Sequence, residues 1–359
     1  MFTNKQSKSM IQEDEIRRID AANMRELIVR LPEQILDALR IVRSTEITIQ
    51  ARRIRNIVVT GLGGSAIGGD LLRSYSAGEI RMPMVINRNY TLPRFVNEHT
   101  LVIVSSYSGN TEETIAAHRE AARRKAQVVA MSSNGEIARI ATRLHHPLIS
   151  IPKGLPPRAA LAYSFFPPLA LFTRWGFLRS KTREINETVD LLKTKAAEYA
   201  VLDPDLNPAL RLAERLKGTL PIIYAASDHF DAVELRWRGQ LEENAKVLAY
   251  GNVFPELTHN EIVGWRMLPS LLENTTVIFL RDPHDHARVK LRMDITKSII
   301  NKYTPRVIEV QSEGTSLLAR IFSLLYLADW VSFYLAILNG VDPTPVEVID
   351  HLKEKLAET

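Results

Sequence analysis

Short apolar runs of branched residues recur along the chain, each followed by a polar or glycine-rich break and then by apolar residues at helical spacing. The first runs fall at 54–60, from 84, at 101–105, at 127–131 and at 148–151. A second series falls at 220–225, 247–253, 276–280 and 307–310. Helical spacing fills 111–125 and 134–144, and later 231–245, 285–301, 315–338 and 346–357. Strands that read as continuous apolar runs and alternate with helices predict parallel sheets covered on both faces. Before the first run, Ile11, Ile16, Met24, Leu27, Ile28, Leu31, Ile35 and Leu39 predict helices across 11–50, with Pro32 interrupting. Between the two series lie a turn-rich break at 151–160 and a helical stretch at 162–200. Pro204 and Pro208 mark the edge of the second α/β unit. The expected organisation is an N-terminal helical segment (1–50), a first α/β domain (51–160), a helical connection (161–204) and a second α/β domain (205–359).

Composition adds limits. The 359 residues suffice for two ordinary domains, and 45% hydrophobic with 24% charged residues excludes a disordered chain. There is no cysteine, so disulfides and thiolate chemistry are excluded. The polar first twenty residues lack the apolar core of a secretory signal, and a cytoplasmic protein is expected. The apolar stretch 315–338 contains Arg320 and Asp329, each costly in lipid, and is read as a core helix rather than a membrane span. Net charge is +5, but the basic clusters at Arg52-Arg53 and Arg123-Arg124-Lys125 flank a strand or end a helix, so no nucleic-acid partner is expected.

The run at 54–60 breaks into Gly61-Leu62-Gly63-Gly64-Ser65 and resumes as a helix from Ala66. Such a turn presents bare backbone amides and a positive dipole end to an anion, and a Cβ there would hold a ligand away. Tight packing is the alternative explanation of a lone glycine turn, and the weaker of the two here. No Gly-Lys-Ser/Thr follows, so this is not a P-loop, and no acidic residue near 84–87 serves a ribose as in a dinucleotide site. A small phosphate or a sugar phosphate remains. The run at 101–105 breaks into Ser106-Tyr107-Ser108-Gly109-Asn110-Thr111 before the next helix. Three hydroxyls at a helix start can surround a phosphate, and Thr111 can also cap the helix.

These two turns resemble the sugar isomerase (SIS) domain. Pro157-Arg158-Ala159, Glu243-Asn244-Ala245-Lys246 and His259-Asn260 further resemble the bifunctional phosphoglucose/phosphomannose isomerases of that superfamily, over roughly residues 50–356. The resemblance implies two tandem SIS-type, doubly wound, flavodoxin-like domains. It implies interconversion of glucose 6-phosphate, and mannose 6-phosphate, with fructose 6-phosphate, without metal or organic cofactor. It implies phosphate contacts from Gly64, Ser65, Ser106, Ser108 and Thr111. A homodimer with interfacial active sites is also implied, the histidine coming from the neighbouring subunit.

Aldose–ketose isomerisation needs ring opening, a proton carrier between adjacent carbons, a cation beside the enediolate and a phosphate anchor. A carboxylate in a partly dry site suits the proton transfer. Glu242 and Glu243 are both candidates by residue type, and the resemblance selects Glu243. Histidine suits ring opening near neutral pH. The pairs His145-His146 and His284/His286 lack a third ligand at useful spacing and read as surface residues. The resemblance selects His259. Arg158, always charged, could stabilise an enediolate. The tail resembles the family's, with a ring-opening lysine aligned to Lys353 and Lys355 nearby. Where some members carry a threonine that admits either C2 epimer, this chain has Val346, with Thr344 the nearest threonine. Two rivals stand beside this reading: an isomerase for another phosphosugar, and a non-catalytic sugar-phosphate sensor.

Overall fold

The computed structural model describes residues 11–358, so the expectation of no secretory signal falls partly outside it. Helices α1 (Glu13–Ile19), α2 (Met24–Val29) and α3 (Leu31–Ser44) open the chain. Pro32 sits in the first turn of α3 and starts that helix rather than interrupting one, since its missing N–H costs nothing there. Then come β1 (Asn56–Thr60), α4 (Gly63–Ser76), β2 (Met84–Asn87), β3 (Thr100–Ser105), α5 (Glu112–Arg123), β4 (Gln127–Ser132), α6 (Gly135–Arg143) and β5 (Leu148–Ser150). The five strands form one parallel sheet in the order β2-β1-β3-β4-β5. No helix joins β2 to β3. Residues 88–99 cross as a loop, which Leu92 and Val96 pin to the core.

A 3₁₀ turn at Pro157–Ala159 leads into α7 (Leu161–Arg174) and α8 (Thr182–Tyr199). The predicted single helical stretch is thus two helices, parted at Gly176, whose φ of +74° a helix cannot hold. Next in order are α9 (Pro208–Leu216), β6 (Leu220–Ala226), α10 (Asp231–Ala245), β7 (Tyr250–Phe254), α11 (Pro269–Glu273), β8 (Thr275–Arg281), α12 (Ala287–Ile300), β9 (Val307–Gln311), α13 (Leu317–Leu338) and α14 (Glu347–Ala357). The second sheet is also parallel, in the order β7-β6-β8-β9. The α/β reading with two parallel sheets is borne out.

Two packing facts position the site. Helix α13 is 22 residues long and apolar enough to cross a membrane, yet 94% of its most apolar window is buried inside the protein. It is the core helix that Arg320 and Asp329 predict, and it packs against α8, α9 and α10. Helix α10 lies antiparallel to α4. Asp231 at the start of α10 takes hydrogen bonds from Arg73 and Ser74 near the end of α4. The end of α10 is thereby brought beside the start of α4.

The histidine pair at 145–146 departs from expectation. His145 is exposed, but His146 is half-buried, with its Nδ1 2.9 Å from Nε2 of the fully buried His118 on α5. Burial, then His146 and Arg119, lower the His118 pKa from 6.5 to about 4. A base depressed in the folded state leaves the unfolded state binding more protons as pH falls. Folding stability should therefore be lost between about pH 6.5 and pH 4, by an amount on the order of 3 kcal/mol from this residue. His118→Phe should flatten that part of a denaturation-versus-pH curve; an unchanged slope contradicts the assignment.

Candidate active site

In the first sheet, β1 and β3 are neighbours and the order reverses between them, so the turns after these strands flank a crevice at their carboxyl ends. Helix α4 begins at Gly63, inside the glycine run rather than after it, and neither α4 nor α5 is capped by a side chain. Thr111 stands at the N-cap of α5 without capping it, and its hydroxyl instead lies 3.1 Å from that of Ser106. Ser106 Oγ also accepts from Gly109 N at 3.2 Å. Ser65 Oγ accepts from Tyr107 N at 3.0 Å and stitches the two turns together, leaving its proton to donate. Ser108 is exposed at the rim, where its Oγ accepts from Asn110 N. The cluster holds hydroxyl donors and uncapped helix starts, which suits a dianion without adding formal charge.

Gly64 ties this crevice to the 3₁₀ turn. A Cβ there would stand 2.6 Å from the carbonyl oxygen of Pro157 and 3.0 Å from the amide of Arg158. Only glycine lets the two backbones meet so closely. Tyr107 fixes the same segment further up, its hydroxyl donating to Pro152 O and accepting from Leu155 N.

Arg158 is 3% exposed. Its Nε donates to Asn244 Oδ1 at 2.6 Å, and its Nη2 donates to the carbonyls of Pro343 at 2.6 Å and Thr344 at 2.7 Å. Its Nη1 faces Glu243 Oε2 at 3.5 Å as an ion pair. Burial lowers the Arg158 pKa while Glu243 holds it up. Glu243 sits at the end of α10, on a cleft of about 860 Å³ shared with Glu242, Lys246, Asp342, Val346 and Ile349. Desolvation raises the pKa of Glu242 on the same cleft, while Arg238 and the Ala249 amide act to lower it. Lys246, in the left-handed conformation that ends α10, clamps the tail by donating to Glu243 O and Pro345 O, both at 2.6 Å.

The structure thus brings Gly64, Ser65, Ser106, Thr111, Arg158 and Glu243 to one region. It does not bring His259 or Lys353 there. His259 is exposed in a 3₁₀ turn beyond the end of β7, whereas Glu243 precedes the start of β7. Five strand residues at about 3.4 Å each therefore separate them by roughly 17 Å along the sheet. Lys353 is exposed on α14 and 3.4 Å from Asp350, and Lys355 is exposed and paired with Glu358. Every side chain described on α14 is exposed, although Glu347, Val348 and Ile349 at its start line the cleft. Thr344 lies nearer the arginine than Val346: its carbonyl accepts from Arg158, and its buried hydroxyl has no partner among the described residues. Among the described residues there is no group of three or more metal-ligating side chains. Sequence reasoning missed Asn244 and the tail carbonyls as Arg158 partners. Asn244 at least lay inside a motif, but a backbone carbonyl carries no residue-type signal.

Residues 205–356 match the family model described as the bacterial phospho-glucose isomerase C-terminal SIS domain. The chain is 46% identical over 336 residues to the bifunctional phosphoglucose/phosphomannose isomerase of Caldicellulosiruptor bescii, covering 93% of this chain and 99% of that protein. It is 36% identical over 304 residues to the Aquifex aeolicus enzyme of the same name, covering 84% of this chain and 90% of that one. Among solved structures, the C-terminal domain of glucosamine-fructose-6-phosphate aminotransferase from Francisella tularensis superposes with a TM-score of 0.67 at 14% identity, over 90% of this chain and 98% of that one. A glucose-6-phosphate isomerase like protein from Thermus thermophilus superposes with a TM-score of 0.61 at 19% identity, over 95% of this chain and 98% of that one. At these identities the structures speak for the fold alone.

Anion binding at the paired turns is open to direct test. Ser106→Ala and Thr111→Ala should each weaken inorganic phosphate roughly tenfold in a phosphorus NMR titration, the worth of one hydrogen bond to a charged group at ~1.5 kcal/mol. Unchanged affinity in both variants, with the fold intact, moves the anion site elsewhere.

Proposed function

The chain belongs to the bifunctional phosphoglucose/phosphomannose isomerases, and from that membership we propose that it interconverts glucose 6-phosphate, and mannose 6-phosphate, with fructose 6-phosphate. The observation that carries the site assignment is the Arg158–Glu243 ion pair at 3.5 Å, reached from the phosphate-type turns through the backbone contact at Gly64. In this reading Gly64, Ser65, Ser106, Ser108 and Thr111 anchor the substrate phosphate. Glu243 removes the proton from one of the two adjacent carbons and returns it to the other. The Nη1 edge of Arg158 faces the developing enediolate, where a fixed cation stabilises charge without reorganising. Lys353, or Lys355, assists ring opening when α14 is folded over the cleft. A metabolic isomerase of phosphorylated sugars fits a cytoplasmic setting.

Ring opening also needs an acid, and His259 is the residue proposed for it. Within one chain it lies past the far end of β7 from Glu243. A second copy supplying His259 across an interface resolves that separation, and exposed Val263, Met267 and Leu268 next to it offer apolar surface for such contact. The proposed assembly is therefore a homodimer with two shared sites.

Glu243→Gln keeps shape but cannot accept a proton. Its kcat should fall at least about 10²-fold with KM little changed, and C2 deuterium should cease to exchange with solvent. Glu242→Gln is the control and should stay near wild type. A dead Glu242→Gln beside an active Glu243→Gln would reverse the assignment.

Mixing two inactive variants tests the shared site. A heterodimer of Glu243→Gln and His259→Asn subunits contains one site with both residues intact if the histidine comes from the neighbour. Co-expression should then recover a substantial part of wild-type activity per site. No recovery, with heterodimer formation verified, places His259 and Glu243 of one chain in the same site.

A further inference from the structure

The hydrogen-bonding capacity of Arg158 can be counted. A guanidinium carries five N–H groups and no acceptor. Three of them are used on the amide oxygen of Asn244 and the carbonyls of Pro343 and Thr344. That leaves the Nη1 edge, which faces Glu243. The direction of that edge is set by whatever fixes the plane of the group. The tail carbonyls grip Nη2, but they belong to a segment outside regular structure that precedes the exposed helix α14. Asn244 grips Nε from within α10 and is fully buried.

The Asn244 amide has only one workable orientation. Arg158 Nε can only donate, so the amide must present Oδ1 to it. Its Nδ2 then donates to Ser332 Oγ on α13 at 3.0 Å, and Ser332 Oγ donates to the carbonyl of Asp329 at 2.9 Å. Asp329 holds the other end of Arg158 as well. Its Oδ1 accepts from Gln240 Nε2 at 2.6 Å and from Arg236 Nη2 at 3.0 Å, and Arg236 Nη2 also donates to the Arg158 carbonyl at 2.8 Å. Two routes therefore run from one turn of α13 to Arg158, one to its side chain and one to its main chain. Trp237, Gln240, Leu241 and Asn244 form the buried stripe of α10, at the spacing of one helix face. Polar residues in such a stripe cost stability unless every bond is made.

We propose that Asn244 is a positioning residue for the isomerisation, fixing the plane of the Arg158 guanidinium so that its Nη1 edge stays aimed at Glu243 and the reacting carbons. It touches no substrate and acts through Arg158. This rests on the reading that Arg158 and Glu243 carry the chemistry. Without the amide, Nε is left unpaired and the guanidinium turns about its last torsion. Misplacement by about 1 Å costs on the order of 10²-fold in rate.

The test is a double-mutant cycle on the full-length protein, with Glu243→Gln assayed in parallel. Asn244→Leu should lower kcat about 30- to 100-fold while KM for fructose 6-phosphate moves by less than about threefold. Asn244→Asp keeps an acceptor for Nε and should recover most of that loss. In an Arg158→Ala background, Asn244→Leu should change kcat by no more than about twofold, because a group acting through Arg158 has nothing left to act on. Ser332→Ala removes only the hydroxyl behind the amide, leaves Asn244 Nδ2 unpaired, and should lower kcat severalfold in a protein that is still folded at the assay temperature. That variant decides the matter if Asn244→Leu does not fold. The proposal is overturned by any of three results: full kcat in Asn244→Leu or in Ser332→Ala, equal losses in the Leu and Asp variants, or an undiminished loss in the Arg158→Ala background. Should Glu243→Gln be fully active, the assignment of the site itself fails. Should Glu243→Gln be dead and Asn244→Leu normal, only the role of Asn244 fails.

Discussion

A guanidinium that is 3% exposed keeps its charge only where protein groups replace water around it. For Arg158 that requirement draws three distant parts of the chain together: the 3₁₀ turn at Pro157–Ala159, the last turn of α10, and the tail at Pro343 and Thr344. Removing one partner of such a group leaves a buried charge uncompensated, typically at a cost of about 3–5 kcal/mol. The same contacts that keep the candidate site folded therefore fix its geometry, because the carboxylate is registered on the side chain of Arg158 and the phosphate-type turn on the main chain of Pro157 and Arg158. The consequence of that arrangement is that only the Nη1 edge of Arg158, beside Glu243, is not committed to an amide or backbone carbonyl.

Helix α13 gives the arrangement its stiffness. It is apolar almost throughout and buried nearly along its whole length, which leaves its few polar groups no recourse to water. For Arg320, Asp329 and Ser332, partners within the protein take the place of water. Arg320 donates to Asp282 and to the Thr315 carbonyl, Asp329 accepts from Arg236 and Gln240, and Ser332 serves Asn244. Arg320 and Asp329 are also what marked the helix as a core element in the sequence, since a membrane span carries such residues only at high cost. The feature that excluded one environment is thus the feature that organises the other.

Legibility in the sequence followed the range of the forces involved. Strands β1, β3 and β4 were plain because a strand buried on both faces must be apolar at every position, which leaves a continuous run. The turns at 61–65 and 106–111 were plain because backbone geometry there restricts residue type. The missing helix between β2 and β3 was not legible, since an apolar run says nothing about how the chain returns across a sheet. Helix α9 was hidden behind Pro208, read as a boundary but in fact the first residue of the helix, capped by Asn207. His146 was read as a surface residue because its partner, His118, lies 28 positions away on another helix. Glu243 and Arg158 could be named from local motifs. That Arg158 is held by two backbone carbonyls some 185 residues further on could not, because any residue supplies a carbonyl.

The two halves repeat a topology without repeating a site. With β5 set aside, the order β2-β1-β3-β4 matches β7-β6-β8-β9, and each sheet has its reversal between the middle strands. At the first reversal stand glycines, hydroxyls and helix starts that no side chain caps. At the second stands Asp282, whose carboxylate is 2.8 Å from Arg320 Nε and 2.7 Å from Ser312 Oγ, with Asp285 beside it and His286 capping α12. Burial, with Asp282 and Asp228 among the groups adding to it, raises the Asp285 pKa to about 6. A crevice already filled by the protein's own carboxylate repels a further anion and leaves its cation occupied. The second unit consequently serves the candidate site from its opposite edge. Helix α10 starts at the acidic end, runs back along the sheet, and delivers Glu243 and Asn244 to Arg158 at the other.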